Sequence, residues 1–203
     1  MNKILFILLA VVPLKVFPQP LSKVNTASTC YLKNISIHGE SNVNEFDFTY
    51  SNQNKSHTDA KGEVCHPESD TGDVTFYIPV NQFEPSNIAM LHDFKSLIKA
   101  SDYPEVMVEV DKKTLLDIIS GISFTHLNFK LTLAGVTRPV DAQYSAYRMS
   151  GNNLVLSGNT QIKLTDFSLD PPEKMFGIIR VENKVFIKFQ IILPVNSSVI
   201  TKT

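Results

Sequence analysis

Apolar and polar residues alternate with period two along two long segments in the last third of the chain. The first covers residues 154–164 and the second residues 185–193. This alternation is typical of β-strands with one buried and one solvated face. The stretch between them, from Thr165 to Gly177, breaks the pattern and predicts a corner between two strands. The residues on the apolar faces are Leu154, Leu156, Gly158, Ile162, Leu164, Val185, Ile187, Phe189, Ile191 and Leu193.

Shorter runs of the same kind precede these two segments. They cover residues 30–38, 46–50, 74–80, 106–110, 127–133 and 140–146, and turn-rich sequences such as Gly39 to Asn42 separate them. The total of about eight strands, without a regular alternation of strands and helices, predicts a mainly all-β, antiparallel barrel or sandwich. A barrel of this size has room for its own side chains or for one small ligand.

One segment changes from period two to the spacing of a helix. Ser86 is a candidate N-cap, and the pattern continues to Tyr103 and Pro104. It predicts one amphipathic α-helix that lies across the sheet. A short apolar segment, residues 115–119, is given no assignment. The apolar residues of the predicted helix are Ile88, Leu91, Phe94, Leu97 and Ile98.

The first 19 residues have the features of a secretory signal peptide. Lys3 precedes an apolar run from Ile4 to Leu14, which is shorter than the roughly 20 residues of a membrane-spanning helix. No second long apolar run follows, so we expect no transmembrane segment. We predict that residues 1–19 are removed on export and that residues 20–203 form a single domain.

Charge and cysteine content restrict the partners and the compartment. The formal net charge is −1, from 19 basic and 20 acidic residues that are well mixed, so we expect no binding to nucleic acid. Cys30 and Cys65 are the only cysteines, and an oxidising compartment favours a disulfide between them. Such a bond stabilises a fold by roughly 3–4 kcal/mol in the chain-entropy model. The alternative, a reactive or metal-binding pair, lacks C-x-x-C spacing.

The sequence contains no motif that indicates catalysis. None of the five histidines has the spacing of a metal site, and there is neither a G-x-S-x-G motif nor a glycine-rich phosphate loop. We therefore expect no metal, no cofactor and no enzymatic activity. His92 beside Asp93 has two interpretations. The pair binds a polar ligand head group, or it is a solvated pair at a helix start, where an acid is favourable in any case.

Four segments carry a resemblance to a known family. They are Gly39 to Phe46, Met90 to Ala100 with the following Tyr103-Pro104, Leu131 to Val140, and the corner from Thr165 to Gly177. In this order they resemble the YceI-like family of exported lipid-binding proteins, in the form carried by Bacteroidetes-type bacteria. The better-known branch has Arg-Asp-x-His-Leu before the helix region, where this chain reads Ala-Met-Leu-His-Asp-Phe over residues 89–94. The resemblance therefore extends to fold and cavity and not to a named quinone.

The resemblance implies an extended, lipocalin-like barrel in the periplasm or secreted, which holds a polyisoprenoid or another long amphiphile. The alternative for each candidate lining residue is that it fills the barrel as ordinary core. The candidates are Phe94, Leu97, Leu127, Phe129, Leu131, Tyr144, Leu156, Ile162, Phe176, Ile187 and Phe189, with His92 for a head group.

Three functions follow from this interpretation. The first is an exported binding or carrier protein for a long apolar lipid. The second is a non-catalytic structural or interaction module with a filled core. The third is an enzyme that acts on a bound lipid, which requires a polar group such as His92 inside the apolar interior. The sequence leaves open whether two copies form a homodimer.

Overall fold

Ten antiparallel strands form the described part of the computed structural model, which comprises residues 30–52, 72–123, 125–149 and 153–195. The mainly β, antiparallel fold class predicted from the sequence is confirmed. The strands are Tyr31–Ser41 (β1), Glu45–Ser51 (β2), Asp73–Pro79 (β3), Glu84–Pro85 (β4), Glu105–Asp111 (β5), His126–Leu133 (β6), Val136–Met149 (β7), Asn153–Lys163 (β8), Glu173–Lys174 (β9) and Ile179–Pro194 (β10).

Nine of these strands follow one another in a single curled sheet. Their order is β3-β5-β6-β7-β8-β10-β1-β2-β4, and the short β9 pairs with the start of β10. Within the described ranges, β3 and β4 are the two ends of this order, and a 3₁₀ helix at Val80–Gln82 connects them. The sheet is therefore a curled, lipocalin-like half-barrel of nine strands.

The register between β8 and β10 brings their predicted apolar faces together. Val185 lies opposite Ile162, and Ile191 lies opposite Leu156. All four side chains are buried. The period-two pattern thus identified the inner face of both strands, because successive side chains of a strand point to opposite sides of the sheet.

Two strand glycines make room for aromatic rings on the inner face. A Cβ at Gly158 would lie 2.2 Å from a ring carbon of Phe189, and one at Gly39 would lie 2.4 Å from the ring of Phe46. Each glycine lies directly opposite its phenylalanine in the ladder. The Phe189 ring also meets Phe129 edge-on, with 5.9 Å between ring centroids. The glycines therefore allow a close approach that any side chain would prevent.

The predicted helix is shorter than its sequence pattern. A 3₁₀ turn at Ile88–Met90 leads into the α-helix Leu91–Leu97 (α1). Asn87, rather than Ser86, caps the start by accepting a hydrogen bond from the Ala89 N–H at 3.0 Å. The prediction that the helix continues to Tyr103 was wrong, because Lys99 turns into the left-handed region with φ 53°.

A second helix, Lys112–Ile119 (α2), follows β5 and includes the short apolar segment of residues 115–119. Asp111 caps it by accepting hydrogen bonds from the Thr114 N–H at 2.9 Å and the Thr114 hydroxyl at 2.8 Å. These bonds hold the pKa of the Asp111 carboxyl below its usual value. Leu115, Ile118 and Ile119 are buried, so α2 packs one face on the sheet.

Two predictions, on export and on oxidation, concern residues that lie before the first described range or in the gap after it. Cys30 is buried and disulfide-bonded. Cys65 and the predicted signal peptide, residues 1–19, lie outside the described residues. The Cys30–Cys65 pairing and the cleavage of the signal peptide stay predictions. No helix in the described part is long and apolar enough to cross a membrane.

We predict that Gly158→Val destabilises the protein by about 1–3 kcal/mol, because the new side chain forces the Phe189 ring out of its position. Chemical denaturation measures the free energy of unfolding. The matched control is Asn159→Val, the same new side chain on the exposed neighbour, which we expect to change stability by less than about 0.5 kcal/mol. Equal losses in both variants would contradict the packing argument.

We also predict a pH-dependent contribution from His38 and Asp47, which join β1 to β2. Their side chains lie 3.0 Å apart, and this hydrogen bond, assisted by the charges of Asp47, Glu45 and Glu40, raises the pKa of His38 above 6.5. The stabilisation of the fold by protonated His38 is complete below about pH 6.5, and it is lost as the pH rises through the raised pKa of His38. The free energy of unfolding of the wild type exceeds that of Asp47→Asn at low pH, and we expect this difference to become smaller as the pH rises through that interval. A difference that is constant with pH would refute this assignment.

Candidate ligand-binding cavity

A cavity of about 210 Å³ lies inside the curled sheet. Its walls come from the inner faces of β1, β2, β5, β6, β8 and β10 and from one side of α1. Almost all of the lining side chains are aliphatic or aromatic, because the period-two pattern places the apolar residues of every wall strand on this side. The volume is below the roughly 300–1,000 Å³ of typical small-molecule pockets.

Eight of the twelve predicted ligand-binding residues line this cavity. They come from α1 and from three strands that are distant in sequence, β6, β8 and β10, of which β8 and β10 are neighbours in the sheet. Contact with a ligand stays a prediction for each of them. The eight are Phe94, Leu97, Leu127, Phe129, Leu131, Ile162, Ile187 and Phe189.

The other four predicted residues lie elsewhere. Leu156 is completely buried in the core, and Tyr144 is half-buried against it, but neither lines the cavity. Phe176 is fully exposed in the turn between β9 and β10. The His92 side chain is 93% exposed and lies in an open groove whose lining does not include the walls of the cavity. The structure therefore places His92 in the solvated position that the sequence offered as its second interpretation.

β1 and β2 also contribute to the cavity, although none of their residues is among the twelve predicted ligand-binding residues. Ile35 and Ile37 line it together with Leu32, whereas Tyr31 does not. Leu32 and Ile35 are three positions apart and would lie on opposite faces of a regular strand. A register shift between Leu32 and Asn34 brings them to the same face, because the extra residue of a bulge reverses the alternation of the side chains that follow. Phe46 and Phe48 of β2 also line the wall, and their alternation with polar neighbours was visible in the sequence.

An aromatic cluster holds α1 against the sheet as part of the cavity wall. The Phe94 ring stacks on Phe48 of β2 with 4.2 Å between centroids and an interplanar angle of 22°. It also meets Phe83 at 5.5 Å, and Phe83 packs on Tyr50 at 5.8 Å. Burial raises the pKa of the Tyr50 hydroxyl. Such aromatic pairs add about 0.5–1.5 kcal/mol each beyond the area that they bury.

The charged lining residues, Asp93 of α1 and Lys174 of β9, lie near the turn between β1 and β2, because Lys174 pairs with Ile179 and Asn42 of that turn donates to the Ile178 carbonyl. We call this end of the cavity the mouth. The two charged side chains form an ion pair, with 2.7 Å between Lys174 Nζ and Asp93 Oδ1. Ser41 and Asn44, from the turn between β1 and β2, add hydroxyl and amide groups to the same end. The mouth is therefore polar, and the walls behind it are apolar.

The chemistry available in this arrangement is that of a binding site for an apolar chain. Thr160, a polar side chain on the β8 wall, already donates a hydrogen bond to the Asp141 carbonyl at 2.7 Å. In the described ranges, no group of three or more histidine, cysteine or acidic residues is placed to hold a metal ion. An apolar ligand in the cavity thus leaves no buried charge without a partner.

Comparisons with known proteins agree with this fold. A polyisoprenoid-binding domain from Saccharophagus degradans, implicated in plant cell wall breakdown, is similar with a TM-score of 0.56 at 14% identity, over 83% of this chain and 99% of that one. BcnA from Burkholderia cenocepacia is similar with a TM-score of 0.52 at 17% identity, over 78% of this chain and 94% of that one. No curated protein matches the sequence.

At these identities the two structures support the fold alone. The sequence itself matches the profile of the YceI-like domain over residues 33–193, which is most of the chain. This range includes every cavity-lining residue except Leu32. The resemblance found in the sequence is therefore confirmed at the level of the family: the chain belongs to the YceI-like family.

Proposed function

We propose that this protein binds a long apolar amphiphile, such as a polyisoprenoid or a fatty lipid, inside the barrel. The observation that carries the proposal is that apolar and charged side chains occupy different parts of the cavity. Its walls are apolar, and its charged residues, Asp93 and Lys174, are confined to the mouth. A similar structure is that of a polyisoprenoid-binding domain, which supports the same class of ligand.

The driving force for binding is removal of apolar surface from water. Each buried CH₂ group contributes about 0.8 kcal/mol, so a chain of several isoprene units gains a large gross free energy. Ordering the flexible chain offsets part of it. Because the cavity measures only about 210 Å³, a long chain requires half-buried side chains such as Leu97 and Ile187 to move aside.

The polar mouth fixes the orientation of the ligand in this proposal. The apolar chain lies against the β-sheet walls, and the head group stays near Ser41, Asn44, Asp93 and Lys174. The reverse orientation is unfavourable because it buries the head group among aliphatic side chains without hydrogen-bond partners. Binding in this form needs no catalytic group, and we propose that the protein is not an enzyme and needs no cofactor.

We further propose that the protein is exported and carries its ligand in the periplasm or outside the cell. The support is the signal-peptide pattern of residues 1–19. The small volume of the cavity also favours a second candidate, an interaction module whose core is filled by its own side chains. The two candidates differ in whether the purified protein contains lipid.

Native mass spectrometry of the protein purified from a bacterial periplasm, followed by organic extraction, tests this difference. We expect a discrete added mass with an isoprenoid or fatty-acid fragmentation pattern. A clean protein mass that incubation with polyprenyl lipids does not change would contradict lipid binding and support the filled-core module. The mature mass also reports whether residues 1–19 have been removed.

We predict that Ile187→Trp lowers lipid uptake by at least about tenfold, because the larger side chain fills the cavity that Ile187 lines. The matched control is Phe186→Trp, the same new side chain on the exposed outer face of the same strand, which should bind lipid like the wild type. Lipid occupancy is measured by native mass spectrometry, and folding by circular dichroism.

A second cavity-filling variant covers the case that Ile187→Trp does not fold. Val108→Phe enlarges a half-buried lining residue on β5, with Met107→Phe as its control. Normal lipid uptake by a folded cavity-filling variant would show that the ligand lies outside the cavity.

A further inference from the structure

The five most exposed large apolar side chains of the described residues all lie at the mouth end of the barrel. They occupy three separate segments, namely the turn between β1 and β2, the turn that precedes α1, and the turn between β9 and β10. Their relative exposures range from 60% to 109%. We call this set the apolar rim. It consists of Val43, Ile88, Met175, Phe176 and Ile178.

The rim lies at the entrance because its members belong to the three turns that flank the mouth residues Asn44, Asp93 and Lys174. Val43 precedes Asn44, Ile88 is two residues before Met90, and Met175 to Ile178 lie between Lys174 and Ile179. The Asn42 side chain donates to the Ile178 carbonyl at 2.7 Å and accepts from the Arg180 N–H at 2.9 Å. The Lys174–Asp93 pair joins α1 to the same turn.

The backbone of the turn between β9 and β10 is unfavourable for the residues that it carries. Met175 and Phe176 both have left-handed φ values, 51° and 57°. Positions of this kind in tight turns strongly favour asparagine and glycine, because a larger side chain crowds the backbone. The turn therefore projects two bulky apolar groups into solvent at a conformational cost, and nothing in the described fold gains from them.

Four of the charged residues beside the rim form two ion pairs. Lys174 binds Asp93, and Arg180 Nε lies 3.6 Å from a Glu173 carboxylate oxygen. Glu45, two residues after Val43, adds one more acid, so the entrance presents protruding apolar groups without an excess of basic charge. This combination suits the headgroup and acyl-chain boundary of a zwitterionic bilayer, which accepts exposed apolar side chains without charge complementarity.

We propose that the apolar rim inserts into the surface of a lipid bilayer, so that the cavity mouth opens onto the membrane from which an apolar ligand enters or to which it returns. The proposal rests on the proposed lipid-binding function, since a long amphiphile resides in bilayers and not in free solution. The rim is continuous with the apolar cavity, so a chain that moves between them avoids crossing water. If a second copy of the chain or a protein partner bound to the rim instead, it would cover the mouth and block the passage of the ligand.

Flotation with unilamellar phosphatidylcholine vesicles tests the proposal. We expect the wild type to float with the vesicles, and Phe176→Ser to weaken the partition coefficient by about tenfold, the effect of losing one inserted ring. Phe186→Ser is the matched control, because Phe186 is also exposed but lies on the outer wall away from the mouth. Met175→Ser and Met149→Ser form a second pair of the same design, with Met149 at the far end of β7.

Absence of wild-type flotation, or an equal loss in Phe176→Ser and Phe186→Ser, would overturn the proposal. So would concentration-dependent dimerisation that Phe176→Ser abolishes, because the rim would then be an interface between copies. Extraction of bound lipid separates this test from that of the proposed function. A protein that carries lipid without vesicle binding contradicts only the docking proposal, whereas vesicle binding without extractable lipid contradicts the lipid-binding function.

Discussion

The register between β8 and β10 is the constraint on which the interior of the barrel depends. Phe189 lies opposite Gly158, where no side chain competes for the space that its ring occupies. A slip of one residue would turn every apolar side chain of β10 to the outer face and would place the ring against a neighbour with a Cβ. Gly39 and Phe46 repeat this arrangement between β1 and β2. One glycine–phenylalanine pair therefore fixes the register of β10 on β8, and the other fixes the register of β1 on β2. The remaining apolar residues of these strands are left to line the cavity.

The two helices have different relations to that cavity. α1 lies before β5 and contributes Asp93, Phe94 and Leu97 to the lining, whereas α2 follows the other end of β5 and contributes none of its residues. α2 buries Leu115 and Ile118 in the core, so it closes the packing at its end of the barrel. α1 has no fully buried residue and is held mainly by the Phe94–Phe48 stack. The end with the weaker packing is also the end with the mouth.

The alternation of apolar residues was enough to predict the fold class and most of the cavity wall. Phe129, Ile162 and Phe189 could be assigned to the interior because each belongs to a long period-two strand. Phe176 could not, because its orientation depends on a turn backbone with positive φ that the surrounding sequence does not signal. The same limitation applies to Leu32, which lines the cavity together with Ile35 because a bulge lies between them.

Helix boundaries were less predictable for a different reason. The helical spacing of apolar residues continues through Ile98, but the chain leaves the helix at Lys99, a residue without the usual preference for a left-handed conformation. α2 is only eight residues long, and its clearest local indication is the N-cap Asp111 followed three positions later by Thr114. Such short elements depend on tertiary packing more than on propensity.

The division of the cavity into apolar walls and a polar mouth also bears on ligand selectivity. In the proposed complex, the groups beside the ligand head group are Ser41, Asn44, Asp93 and Lys174, and the two charged ones already satisfy each other. The remaining contacts are aliphatic and aromatic, and an apolar pocket discriminates ligands that differ by one methylene by only about 1–3 kcal/mol. Chain length and stiffness, set against a volume of about 210 Å³, therefore select the ligand more strongly than its head group does. A barrel of this kind is suited to a class of long apolar chains and not to one compound.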